Sequence, residues 1–162
     1  MGSIHPLLLK LLTNRVEFVL IGGVAAILHG ASTFTKDIDV CASFANENLD
    51  RIVETLHDLD PRYRMTPQKL KMPSDASKLY GYKNLYLQTT LGEIDLLSEV
   101  DGVGTYSIVK DHADLITIGD MQVPVMSIED IIQSKGFLGR PKDRQVIAEL
   151  RLVQQAKAKL DS

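Results

Sequence analysis

A single cysteine, Cys41, is all the chain has. No disulfide can form within it, and a zinc site built from thiolates is excluded. Tryptophan is absent and aromatic residues make up only 6%. Long hydrophobic runs are missing too. The most apolar stretch, Phe18 to Leu28, is interrupted by Gly22 and Gly23 and is too short to span a bilayer. The Leu7–Leu12 patch lacks the length and the small-residue cleavage site of a secretory signal, so a cytoplasmic protein with no membrane association is expected. Nor is there an excess of charge of one sign. Lys and Arg number 18 against 21 Asp and Glu, for a net charge of −3. That balance gives no general attraction to nucleic acid and excludes a basic, non-specific coat protein. A polyanion can still bind locally, because a metal ion reverses the sign of a carboxylate pocket.

What is present is an ordinary globular composition, 44% hydrophobic and 24% charged, enough to bury a core and inconsistent with disorder. The 162 residues suit one domain, 1–162, with a core over about 15–126 and a helical C-terminal part over about 127–162. Leu7, Leu8, Leu11 and Leu12 form one stripe of a short helix over 6–14. Phe18 to Ile21 reads as a buried strand meeting a Gly-Gly turn, and Val24 to Leu28 as a small-residue helix stopped by Gly30. Asp37 to Cys41 alternates as a strand should. A helix follows, capped by Asn46 or Asn48, with Leu49, Ile52, Val53 and Leu56 at helical spacing. Residues 60–83 read as a strand fragment plus a mobile polar loop. Strands are expected at 85–89 and 93–97, turning near Gly92, and a hairpin at 115–126 around Gly119-Asp120. Ser127 and Asp130 mark a helix start, and 143–159 forms the last helix. The expected class is α/β (α+β): a mixed, partly antiparallel sheet flanked by helices, with the C-terminal helices packed on it.

Three segments carry chemistry. Ile21-Gly22-Gly23 is a strand end opening into a helix, where glycines let backbone N–H groups approach a phosphate; equally, such a pair can serve turn geometry alone. Asp37 and Asp39 are two apart on a strand, so both carboxylates stand on one face. Adjacent carboxylates beside an apolar sheet repel unless something positive lies between them. Mg²⁺, which takes one or two carboxylates plus substrate phosphates, answers that need; a strand-edge solubility role is the alternative. Asp95 stands alone in the apolar run Ile94-Asp95-Leu96-Leu97. If its strand lies beside that of Asp37 and Asp39, the three acids form a two-metal cluster of the kind that clamps the attacking and leaving oxygens of an in-line displacement.

Residues 18–40, from Phe18 through Gly22-Gly23 to Thr35-Lys36-Asp37-Ile38-Asp39-Val40, resemble the polymerase-β-like nucleotidyltransferases. They are most similar to the small bacterial branch that includes abortive-infection toxins of toxin–antitoxin systems. The resemblance implies a nucleotidyltransferase fold and transfer of a nucleoside monophosphate from a triphosphate, with Mg²⁺ or Mn²⁺ as cofactor. The acceptor would be an RNA, a protein or a small molecule, and an antitoxin partner is a further implication. Gly22, Gly23, Thr35 and Lys36 take nucleotide-binding places, and Asp37, Asp39 and Asp95 the metal and catalytic ones, with Asp95 also the general base. Residues 123–143 look like the family's helix bearing a Lys, here Lys135, which would neutralise the triphosphate, followed by Arg140 and the pair Lys142-Asp143. Two positions depart from the pattern: Thr33 where an Arg often stands, and Val146 where a second Asp follows the Lys-Asp pair. A catalytically silent module that binds nucleotide or a protein partner is the competing function.

Other residues have plainer readings beside functional ones. His29 at a helix end reads as a capping or packing residue. Tyr80, Tyr82 and Tyr86 alternate and are expected to share one face, packing a sheet or stacking a base. Lys69, Lys71, Lys78 and Lys83 read as a solvated loop that could receive RNA.

Overall fold

The computed structural model describes residues 3–161. Along the chain, α1 (Pro6–Thr13) leads into β1 (Phe18–Ile21), α2 (Gly22–Leu28), β2 (Ile38–Ala42) and α3 (Asn46–Leu56). Next come β3 (Arg62–Tyr63), β4 (Asn84–Thr89), β5 (Gly92–Leu97), β6 (Glu99–Val100), β7 (Gly104–Thr105) and α4 (Tyr106–His112). The chain finishes with β8 (Asp114–Ile118), β9 (Met121–Val125), α5 (Ile128–Leu138) and α6 (Arg144–Asp161).

Seven strands form one sheet in the order β3-β4-β5-β2-β1-β9-β8. β1 pairs parallel with β9 and β2 parallel with β5, and the other neighbours are antiparallel. The mixed sheet expected from the sequence is therefore present. β1, an interior strand between β2 and β9, is buried at all four positions, as a continuous apolar run must be. β2, β4 and β5 alternate: Ile38, Val40, Leu85, Leu87, Ile94 and Leu96 lie in the core, each at most 2% exposed, while the residues between them face the other side. Each such buried side chain contributes about 1.5–3 kcal/mol. α3 turns Leu49, Ile52, Val53 and Leu56 inward, as its spacing required. α5 begins as expected, with the Ser127 hydroxyl accepting from the Asp130 amide at 3.1 Å, and ends at Gly139 in a left-handed C-cap. Among the described residues no helix is long and apolar enough to cross a membrane.

Several local readings need correction. Neither Asn46 nor Asn48 caps α3, which begins at Asn46 with Ala45 as its N-cap; the buried Asn48 side chain instead accepts from the Glu17 amide at 2.8 Å and donates to the Glu17 and Ser43 carbonyls. Residues 60–83 are fastened rather than loose. The Tyr63 amide donates to the Leu70 carbonyl and the Met72 amide to the Pro61 carbonyl, both at 2.8 Å, and Met72 and Leu79 are buried. α4 and the β6–β7 hairpin leave little trace in the sequence. α4 has seven residues, no side-chain cap and one buried position, Val109, so its periodicity is too short to read; it forms by packing against β1 and β2. Tyr80, Tyr82 and Tyr86 do not share a strand face, because β4 begins only at Asn84.

Candidate active site

The site grows from strand register. Asp39 lies opposite Ile21 on β1 and opposite Asp95 on β5. Register partners on neighbouring strands project to the same side, so the two carboxylates meet on the face away from the core. Asp37 stands two residues ahead, one residue before β2 begins. The third strand adds Tyr86, the register partner of Asp95.

The glycine pair is shaped around these acids. Gly22 has φ +73°, and a Cβ there would sit 2.9 Å from the Asp39 Cβ, closer than real side chains approach. At Gly23 a Cβ would come within 3.0 Å of the Thr35 Cβ. Thr35 in turn accepts the Asp37 amide on its hydroxyl at 3.3 Å. Gly22 and Gly23 are thus required for the 35–39 segment to lie against the turn. Lys36 is exposed.

Electrostatic crowding is real at Asp39. Burial, then the negative charges of Asp95 and Asp37, push its carboxyl up to about 6, against a smaller opposing pull from Arg64. A protonated Asp39 can donate to Asp95, a hydrogen bond that also favours the raised value.

Arg64, which sequence reasoning missed, supplies the cation that is present. Its Nε donates to Asp95 Oδ1 at 3.0 Å and its Nη2 to Oδ2, a bidentate fork. The guanidinium carbon lies 5.6 Å from the centre of the Tyr86 ring. Among the described residues, no three His, Cys, Asp or Glu side chains form a ready-made metal cluster.

Beside Asp39 opens a cavity of about 450 Å³, lined among others by Gly22, Asp39, Tyr86, Glu99, Asp101, Lys135 and Arg140. That volume lies in the range of small-molecule sites. Of the lining residues, Lys135 has its Nζ 3.0 Å from one oxygen of Asp143, and Arg140 Nε donates to the other at 2.7 Å. Asp143 is 4% exposed. Burial pushes its carboxyl upward, but the hydrogen bonds from Arg140 and Lys135 outweigh that and hold it below its ordinary value. The Lys135–Asp143 pair thereby ties α5 to the turn that leads into α6. Val146 is a buried core residue.

The remaining candidates are placed plainly. His29 is buried, with Nε2 donating to the Met126 carbonyl at 2.8 Å, a packing residue. The Tyr80 hydroxyl donates to Asp50 at 2.7 Å, and Tyr82 interacts with Tyr63. Only Tyr86 of the three reaches the cavity. Lys69 Nζ donates to the Arg64 carbonyl at 2.7 Å and helps fix that loop.

Solved structures share this arrangement of elements. The lincosamide antibiotic adenylyltransferase LnuA, with lincomycin bound, matches with a TM-score of 0.59 over 94% of this chain and 99% of its own, at 14% identity. The fold is that of the nucleotidyltransferases. A Thermotoga maritima protein named as a nucleotidyltransferase matches with a TM-score of 0.54, covering 88% of this chain and 86% of its own at 16% identity. The antibiotic-resistance factor ANT(2'')-Ia gives 0.57, with 94% and 80% covered, also at 16% identity. No protein-family model matches the sequence and no curated protein does, so the nucleotidyltransferase likeness is carried by shape.

Proposed function

We propose that the chain transfers a nucleoside monophosphate from a nucleoside triphosphate to a hydroxyl of a small molecule, using Mg²⁺ or Mn²⁺ held by Asp37, Asp39 and Asp95. The observation that carries this reading is the register that sets Asp39 against Asp95, beside a Gly22 that tolerates no side chain, with Gly22 and Asp39 lining the cavity. The donor set fits the ion: all three groups are carboxylates, as a hard divalent cation prefers, and the raised Asp39 records crowding that such a cation relieves. When bound, the metal supplies charge neutralisation at the phosphates and a lowered acceptor pKa.

This chain's own residues do the rest. Gly22 and Gly23 give the phosphates close access to backbone, and Thr35 and Lys36 flank that turn. The acceptor oxygen forms a bond to the α-phosphorus, the bond to the β-phosphate oxygen breaks, and pyrophosphate leaves with the electron pair. Asp95 takes the acceptor proton. Lys135 meets the triphosphate as a point charge, held toward the cavity by Asp143. Lys135→Ala is expected to lower kcat/KM for the triphosphate by about 10–100-fold while costing at most about 1 kcal/mol of stability, because Arg140 keeps Asp143 paired. Steady-state kinetics and a thermal melt check both halves.

A small-molecule acceptor is favoured over RNA on charge. Glu99 and Asp101 line the cavity, the chain carries −3 overall, and an RNA end needs a basic approach. The likeness to two antibiotic-resistance proteins, LnuA and ANT(2'')-Ia, points the same way. Incubation with Mg²⁺, each triphosphate labelled at the α-phosphate, and separate pools of RNA and hydroxyl-bearing small molecules tests it: label should enter the small-molecule pool, and entry into RNA alone rejects the acceptor assignment. One observation favours a second reading, a catalytically silent module that binds nucleotide. Arg64 occupies both oxygens of Asp95. That reading expects saturable nucleotide binding with no label transferred to any pool.

A further inference from the structure

We propose that Arg64 is a resident counter-cation for Asp95 that must hand this carboxylate over before a divalent ion can use it, and that Glu93 is where the guanidinium goes. The inference rests on the metal reading above and adds to it a gate built from this chain's own residues. The fork engages both oxygens of Asp95, with Nε on one and Nη2 on the other, so no oxygen is left free of the guanidinium. An arginine cannot step aside by losing its proton. It has to move.

The structure provides a short path. Glu93 and Asp95 are two apart on β5 and therefore project to the same face. Glu93 already has an oxygen 4.0 Å from Arg64 Nε and is the more exposed of the two, its side chain 45% accessible against 16% for Asp95. The guanidinium carbon stands 5.6 Å from the Tyr86 ring centre. That ring's strand partner is Asp95, and the next pair on the same face, Gln88 opposite Glu93, flanks the alternative carboxylate. The backbone from which Arg64 swings is fixed. Its amide donates to the Tyr86 carbonyl at 3.1 Å and its own carbonyl accepts from Lys69 Nζ at 2.7 Å. A side-chain hop between same-face neighbours two residues apart, with the backbone held, is thus a two-state element biased by whichever cation Asp95 prefers. Arg64 closed on Asp95 keeps the third acid satisfied while the site is empty of metal. Arg64 parked on Glu93 leaves Asp95 free to act.

Mn²⁺ binding followed by electron paramagnetic resonance tests this without recourse to activity. Arg64→Met, which keeps an apolar stem near Tyr86, should tighten Mn²⁺ binding about tenfold or more. Glu93→Gln should weaken it several-fold when Arg64 is present and have no effect in the Arg64→Met background, a non-additivity that identifies the parking role. Arg64→Lys, which retains the charge and loses the fork, should fall between wild type and Arg64→Met, and serves if the methionine variant does not fold. Mn²⁺ affinity unchanged or weakened in Arg64→Met, with binding still abolished by Asp39→Asn, overturns the gate and leaves the metal site standing. An equal effect of Glu93→Gln in both backgrounds overturns the parking role. Absence of saturable Mn²⁺ binding in every variant overturns the metal reading and the gate together.

Discussion

Asp39→Asn is expected to do two opposite things: reduce metal-dependent transfer by on the order of a thousandfold and stabilise the metal-free protein at neutral pH. The activity loss follows from removing the carboxylate at the junction of β1, β2 and β5. The stability gain follows from linkage. The fold raises the Asp39 carboxyl from 3.8 to about 6, so folding favours the protonated form. Its favourable contribution is complete below the unfolded value and is lost as pH rises through about 6; above that the folded protein holds an unwelcome charge. A full two-unit shift would correspond to about 3 kcal/mol, and partial exposure of the site reduces the expected gain to roughly 1–2 kcal/mol. Asparagine removes that cost. Its advantage should therefore appear above pH 6 and vanish below pH 4, read from denaturant melts across that range. Saturating Mg²⁺ should stabilise wild type and leave Asp39→Asn unmoved, since a cation relieves the same repulsion. A variant less stable than wild type at pH 7.5 without metal would contradict the crowding on which the site is argued.

Gly22→Ala is the second large effect. Two penalties coincide there: a positive φ of 73° and a Cβ driven to 2.9 Å from that of Asp39. Together they should cost about 2–4 kcal/mol and lower Tm by roughly 5–12 °C for a chain of this size. Transfer should fall with it, because the collision displaces Asp39 itself. Gly81→Ala separates the causes. Gly81 has φ +90° with no atom within 4 Å of the added Cβ, so only backbone strain remains and the loss should stay near 1 kcal/mol with activity intact. Equal losses at the two glycines would show that the close approach to Asp39 is not what fixes Gly22.

These expectations rest on parts of the molecule that differed greatly in how readable they were. The Phe18–Ile21 strand, the alternation through Asp39 and the helical spacing of Leu49, Ile52, Val53 and Leu56 are local patterns, and local patterns survive in sequence. So does the logic of Asp95, since a lone carboxylate in an apolar strand demands a cation. Which cation was illegible. Arg64 lies 31 residues away on a segment whose prolines and lysines read as loop, and only the β3–β4 pairing brings it over Tyr86, which the β4–β5 register sets opposite Asp95. The β6–β7 hairpin and α4 were equally hidden, because elements of two to seven residues carry too few positions to show a period. Glu99 and Asp101 reach the cavity only through that hairpin. Tyr80 and Tyr82 misled for the converse reason: their alternation with Tyr86 starts before the strand does.

The central claim is that acids from β2 and β5 gather around divalent ions that hold a triphosphate. Crystals grown with Mn²⁺ and a triphosphate whose α–β linkage cannot break test it directly, through anomalous scattering. The account predicts manganese within coordination distance of Asp37 and Asp39, Asp95 released by Arg64, and the triphosphate running from Gly22 toward Lys135. Manganese absent from these carboxylates while the triphosphate is bound elsewhere would contradict it.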